Sequence, residues 1–214
     1  MEEYNQKVQE YLESLRRQGI EKIIAFSGGA DEAFEGRVRK VVEQSMHEFR
    51  GLPIAVLTGG TKWGLPKYAS EVARNYSFPV IGIYPQRGLK HAIANLDFAI
   101  EVSPRYAGSE WGDESELYAK LANGVEIIGG GAGTLIELAH VLKMNEARKK
   151  DNKGPVYISP VRLEGVRTTA DIAYDFSLKA SPGEIFPLVE LIEDVVNAAK
   201  FLIEKLGLDN QNYR

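Results

Sequence analysis

The sequence predicts an α/β fold: a Rossmann-like three-layer α/β/α arrangement on a mainly parallel sheet, in a single domain over residues 1–214. Three observations carry that expectation. Six short apolar runs rich in Val and Ile are too short for helices and lack clean alternation, as expected for strands buried on both faces. Helix-periodic stretches separate them, and strand–helix alternation with such connections implies parallel strands covered on both sides. Three glycine loops each follow an apolar run directly, at the carboxyl edge where open parallel sheets gather their ligand-binding loops.

The elements follow in order. Tyr4, Val8, Tyr11, Leu12 and Leu15 recur at helical spacing over 2–18, and Gly19 supplies the stop. The strand runs are Ile23–Phe26, Ile54–Leu57, Val80–Tyr84, Phe98–Val102, Val125–Ile128 and Val156–Ser159. Between them, Glu32–Phe49 places Phe34, Val38, Val41, Val42 and Met46 on one side of a helix. Pro66–Tyr76 has its proline near the first turn, where the missing N–H costs nothing. A short helical turn is expected over Leu89–Leu96, then helices over Asp113–Asn123 and Leu135–Arg148. Leu188–Leu206 reads as one long closing helix, with Leu188, Leu191, Ile192, Val195, Ala199, Leu202 and Leu206 forming a wide apolar stripe. Ser103–Asp113 is expected to be a mobile loop and 208–214 a frayed tail. No internal repeat or low-complexity tract interrupts the pattern.

Composition narrows the function classes. With 214 residues, 44% hydrophobic and 26% charged, the chain has an ordinary globular balance and length enough for a sizeable core. Cysteine is absent, which removes a disulfide framework, a thiolate metal site and a cysteine nucleophile. The longest charge-free run, Asn75–Gln86, has 12 residues and two prolines, whereas crossing a bilayer takes about 20 apolar residues. The first residues are acidic where a secretory or transit peptide would be basic. A cytoplasmic protein without a membrane partner is expected. A net charge of −4 argues against nucleic acid as a partner. It leaves small anions open, because backbone amides hold a phosphate without net positive charge.

Nine of the 21 glycines lie in the three loops: Ser27-Gly28-Gly29, then Thr58-Gly59-Gly60-Thr61-Lys62-Trp63-Gly64, then Gly129-Gly130-Gly131-Ala132-Gly133-Thr134. Glycine there permits positive φ and close approach of backbone to ligand, and a following helix adds free N–H groups and its positive dipole end. A phosphate-bearing ligand suits such an edge. The bland alternative is three tight strand-to-helix turns. Known phosphate motifs fit poorly. Gly59 to Gly64 has the triphosphatase frame, but Leu65-Pro66 stands where Lys-Ser/Thr is needed. Gly129-x-Gly131 is followed by Thr134 instead of the third small residue, and it follows the fifth strand, not the first, which argues against a dinucleotide dehydrogenase.

The stretch GGGAGTLIELAHVL resembles the G-G-x-G-T-x-x-E signature of the Lonely Guy family and its wider SLOG superfamily, often labelled lysine decarboxylases. The segment TGGTKWGLPKYASEVARNYSFPVIGIYPQRG is similar to that superfamily's branch in melastatin-type channel domains and their prokaryotic relatives. Together they span roughly residues 20–200. The resemblance implies a Rossmann-like domain that binds nucleotides or nucleotide sugars, ADP-ribose-like in the channel relatives. It also implies a phosphoribohydrolase as the alternative, since Lonely Guy enzymes cleave the N-glycosidic bond of a nucleoside 5′-monophosphate. Carried over, the signature falls on Gly130, Gly131, Gly133, Thr134 and Glu137. Those enzymes also use an arginine on the helix before the signature strand, where Asp113–Asn123 offers only Lys120.

Single residues carry double readings. Glu137 stands three residues after Thr134, as in a capping box, or it faces ribose as the candidate catalytic carboxylate. Lys62 and Arg87 each follow a strand and are candidate phosphate cations or solvated charges. Trp63 stacks a base or closes its loop, and Trp111 sits where a lid would form. His140 shares a helix with Glu137 and reads as a surface residue. No metal site and no cofactor are expected. The ligand is taken as a small nucleotide, and apolar helix faces suit a homodimer or larger homo-oligomer.

Overall fold

A computed structural model describes residues 2–29, 34–94, 96–163, 167–177 and 183–209. Six strands form one all-parallel sheet: β1 (Lys22–Gly28), β2 (Ile54–Thr58), β3 (Val80–Pro85), β4 (Phe98–Val102), β5 (Gly124–Ile128) and β6 (Tyr157–Val161). Their order is β4-β3-β2-β1-β5-β6. The chain steps outward from β1 to β4, then returns to lay β5 on the other side of β1. The order therefore reverses between β1 and β5, where an open sheet leaves a crevice beyond its carboxyl ends. The register pairs Gly28 with Ile128, so the loops after these two strands leave side by side.

The helices are α1 (Glu2–Arg17), α2 (Glu35–Glu48), α3 (Gly64–Asn75), α4 (Asp113–Leu121), α5 (Ala132–Lys150), α6 (Thr169–Ser177) and α7 (Val195–Lys205). Side chains alternate across each strand. Ile24 and Phe26 pack with α2, α3 and α7 on one face. Ile23 and Ala25 pack with α1, α4, α5 and α6 on the other. These are the two helix layers that the apolar runs require.

Two expectations change. Leu188–Leu206 is not one helix. Ile185 and Val189 bridge to Ile158 and Val161 at the sheet edge, and α7 begins only at Val195, after a 3-10 turn at Ile192–Asp194. The open edge of β6 supplies the reason: the Phe186 amide bonds Ile158 O at 2.8 Å and the Val189 amide bonds Pro160 O at 2.9 Å. The short turn expected at Leu89–Leu96 is a 3-10 helix at Gln86–His91. Within Ser103–Asp113, the Arg105 amide and the Ser109 hydroxyl both bond the Asp113 carboxylate. Of the tail expected over 208–214, Leu208 is buried against the core, and residues 210–214 lie outside the described residues, as do 32 and 33 of the expected Glu32–Phe49 helix.

One charge-bearing group is sealed in this core. Glu126 lies fully buried in β5 and accepts a hydrogen bond from Ser45 of α2 at 2.5 Å. Among the described residues, its other oxygen has no hydrogen-bond partner, nor does the hydroxyl of Ser159, its register neighbour on β6. Burial pushes the Glu126 carboxyl up to about 8, against the Ser45 hydrogen bond, which lowers it. It is therefore neutral at pH 7.

Candidate functional site

A cavity of about 780 Å³ opens at the carboxyl edge of the sheet, over the reversal between β1 and β5. All three glycine loops reach it: Gly28 and Gly29, Gly59 and Thr61, and Gly130 through Thr134 line its wall. The loops do not contribute alike. Gly60 sits at φ +64°, and a Cβ there would meet the Tyr84 ring at 2.9 Å and Gly82 at 3.2 Å. Its loop is laced to the segment after β3, through Ile93 N to Gly60 O at 2.7 Å and Lys62 N to His91 O at 2.8 Å. Thr58 is buried, and its hydroxyl accepts the Gly60 amide at 3.1 Å. Gly60 and Thr58 thus shape the loop from behind and do not face the cavity.

The third loop is built the other way round. Gly131 is the N-cap of α5, and a Cβ there would meet nothing within 4 Å. The amides of Ala132, Gly133 and Thr134, at the first turn, have no intrahelical acceptor. The loop's carbonyls are taken from behind by α6: Thr169 N bonds Gly130 O at 3.0 Å and Ala170 N bonds Gly129 O at 3.1 Å. The Thr169 hydroxyl reaches Gly131 O at 3.0 Å. With its carbonyls turned to α6, the loop offers donors and a positive helix end to the cavity.

The capping-box reading of Glu137 is corrected by this start of α5. With Gly131 at the N-cap, Thr134 is the third helical residue, and Glu137 lies a turn too deep to serve a cap. Glu137 instead accepts a short hydrogen bond from Ser27 of β1, at the cavity floor. Tyr118 of α4 is buried beside them. Burial pushes the Glu137 carboxyl up to about 7; the Ser27 hydrogen bond opposes this and the charge of Glu114 adds to it. Burial, and then the Glu137 charge, hold the Tyr118 phenol well above its usual range. Ser27 itself is buried and reaches the cavity only through Glu137.

The two expected cations turn away. The Lys62 ammonium bonds Lys90 O at 3.3 Å and lies 5.3 Å from the centre of the Trp63 ring. Arg87 pairs with Glu110 and covers Trp111 at 5.8 Å. Both tryptophans line the cavity, Trp63 leaning on His91 with ring centres 4.5 Å apart. Lys120 lies away from the cavity, paired with Glu116; from α4 it is Glu114 that faces in. Sequence reasoning also missed Arg167 and Thr168, which line the cavity just before α6. The one signal for them was Thr168-x-x-Asp171, a capping pattern ahead of a short apolar helix: Asp171 accepts the Thr168 amide at 2.8 Å. Among the described residues, no group of three or more His, Asp or Glu is placed to hold a metal.

The model of the SLOG cluster4 family matches residues 36–147, just over half of the chain. The chain belongs to that family. The matched span of this SLOG cluster4 member includes the second and third glycine loops and Glu137, and ends before Arg167. Among solved structures, the chain is similar to the molybdenum cofactor binding protein of Rippkaea orientalis, with 19% identity and a TM-score of 0.61 over 86% of this chain and 98% of that one. It is also similar to the molybdenum cofactor carrier protein of Chlamydomonas reinhardtii, with 22% identity and a TM-score of 0.55 over 86% and 99%. At these identities the likeness is one of fold. No curated protein matches the chain.

Proposed function

We propose that the cleft binds a nucleotide or nucleotide sugar, ADP-ribose-like or a nucleoside phosphate, with its phosphate on the amides of Gly131 to Thr134. The observation that carries this reading is the open face of Gly131 over the first turn of α5, beside the strand-order reversal. The cavity of about 780 Å³ falls in the range of small-ligand sites and has room for a base and ribose beside the phosphate. Glu137 is placed to accept ribose hydroxyls, and Trp63, Trp111 and Tyr84 supply apolar wall for a base. On this reading the protein senses or processes its ligand in the cytoplasm. Exposed Leu135 and Ile136 on α5 give it an apolar face for a homodimer or larger assembly. Calorimetric titration with AMP and ADP-ribose tests the reading, with the molybdenum cofactor of the similar structures as a third arm. Binding to neither AMP nor ADP-ribose by the wild-type protein, whether or not the cofactor binds, sinks it.

A second reading, hydrolysis of the N-glycosidic bond of a nucleoside 5′-monophosphate, is favoured by Glu137. A carboxyl titrating near 7 on the cavity floor, ionised, stabilises positive charge on ribose as the base leaves and water adds to the sugar carbon. Against it, α4 has no arginine and turns Glu114 inward. Binding alone predicts no free base from AMP with wild type or Glu137→Gln. Hydrolysis predicts base release that rises through about pH 7 in wild type, and that falls about a hundredfold, near 2.7 kcal/mol, in Glu137→Gln.

A further inference from the structure

We propose that Arg167 is the cation of this phosphate site, parked on Asp175 in the free protein and transferred to the ligand on binding. The inference rests on the cleft reading above. It starts from a charge imbalance. Two carboxyl side chains, Glu114 and Glu137, line the cavity, and among its described lining residues Arg167 is the one lysine or arginine. An anion seated on the α5 amides would otherwise meet repulsion with no side chain to offset it.

The backbone of Arg167 is fixed to the same loop that offers those amides. Asp171 accepts the amide and hydroxyl of Thr168, at 2.8 and 3.0 Å. Arg162 clamps the other Asp171 oxygen, through Nε at 2.7 Å and Nη2 at 2.6 Å. Burial pushes the Asp171 carboxyl up, but the Thr168 and Arg162 bonds outweigh it and leave the group below its usual range, so the brace stays ionised. Thr169 and Ala170 then bond the carbonyls of Gly129 and Gly130. Arg167 therefore directly precedes the segment that is hydrogen-bonded to the loop of open amides.

The Arg167 side chain, by contrast, is held lightly. Its partner Asp175 is two helical turns on, and the two side chains are 72% and 54% exposed. Exposed pairs of this kind contribute little, and are correspondingly easy to exchange. A phosphoryl group offers more charge and more acceptor oxygens than one carboxylate, in the geometry a guanidinium binds bidentately. The ligand class this selects is phosphoryl or pyrophosphoryl, in preference to a carboxylate or an uncharged polyol.

Competition with Asp175 gives the proposal a two-signed test. AMP and adenosine are titrated calorimetrically into wild type, Arg167→Gln, Asp175→Asn and the double variant, with melting curves as the folding control. Arg167→Gln is expected to weaken AMP about tenfold. Asp175→Asn is expected to tighten it about two- to fivefold, the worth of an exposed pair. The double variant should match Arg167→Gln, because Asp175 acts only through the arginine. Adenosine affinity should be the same in all four. Unchanged AMP affinity in Arg167→Gln, or weaker binding in Asp175→Asn, overturns the assignment. Gly131→Val separates the two levels. If it keeps AMP affinity, the cleft reading itself fails; if it loses AMP while Arg167→Gln does not, only the arginine assignment fails. Wild type that binds neither AMP nor ADP-ribose overturns both.

Discussion

The loops after β2 and β5 look alike on paper, each with glycines in tandem after an apolar strand, and both reach the cavity, yet their glycines answer different demands. The loop from Thr58 to Gly64 is packed from behind: Gly60 has no room for a side chain, and backbone bonds lace the loop to residues 91–93. The loop from Gly129 to Thr134 has glycines of both kinds, Gly129 and Gly130 packed and Gly131 and Gly133 open. Gly130, at φ +92°, would press a Cβ into Thr134 at 2.5 Å, while Gly131 looks into open space. Glycine clusters thus arise from two different demands, close packing and access, and only the second bears on a ligand.

Replacing the glycines by valine exploits that difference most directly. Gly60→Val combines overpacking with a β-branched residue at positive φ and should cost about 3 kcal/mol of stability, read by denaturant unfolding. Gly131→Val should cost about 1 kcal/mol at most, as a poorer N-cap. Its effect belongs to binding: AMP affinity should fall at least about thirtyfold, near 2 kcal/mol, as the side chain fills the phosphate position. Equal stability loss in both variants would erase the distinction.

The contrast between sealed and open extends to the two raised carboxyls. Glu126 titrates near 8 in the core and Glu137 near 7 at the cavity. Both lie above the ordinary carboxyl value, so the native state binds more protons than the unfolded chain between about pH 4.5 and 8. Stability is therefore highest at the acid end of that window and falls as pH rises through it, by at most about 1.4 kcal/mol per pH unit for each group. Glu126→Gln should flatten the slope in melts taken from pH 5 to 8.5, and leave AMP affinity unchanged. A slope that persists in Glu126→Gln and vanishes with ligand would move its origin to Glu137.

The smallest effects are expected where the sequence looked most suggestive. Lys62→Ala and Arg87→Ala should each alter stability by no more than about 0.5 kcal/mol and leave AMP affinity unchanged. A tenfold loss of affinity in either would place its charge in the site.

These contrasts also mark what the sequence could show. All six strands were legible as short runs, because a strand buried on both faces is apolar at most positions, as Ile54–Leu57 is at every one. The carboxyl-edge cleft followed from the order of elements. The direction of a side chain did not: Arg87 and Arg167 are both basic residues after a strand, and only tertiary packing turns one to Glu110 and brings the other to the cavity. Thr169–Ser177 escaped notice because nine residues with two buried alanines give a weak periodic signal. Leu188 and Leu191 continue the helical stripe of α7 by spacing alone, and the pull of an open strand edge cannot be read from spacing.

The two tryptophans of the chain, Trp63 and Trp111, both stand in the wall of the cleft, 38% and 60% exposed. The interior is packed with tyrosine, phenylalanine and aliphatic side chains instead. The protein's own indole emission therefore comes entirely from the cleft, with a basic or imidazole group against each ring. Any molecule that enters between them should change that light directly, without a label, and the folded core contributes no background to obscure it.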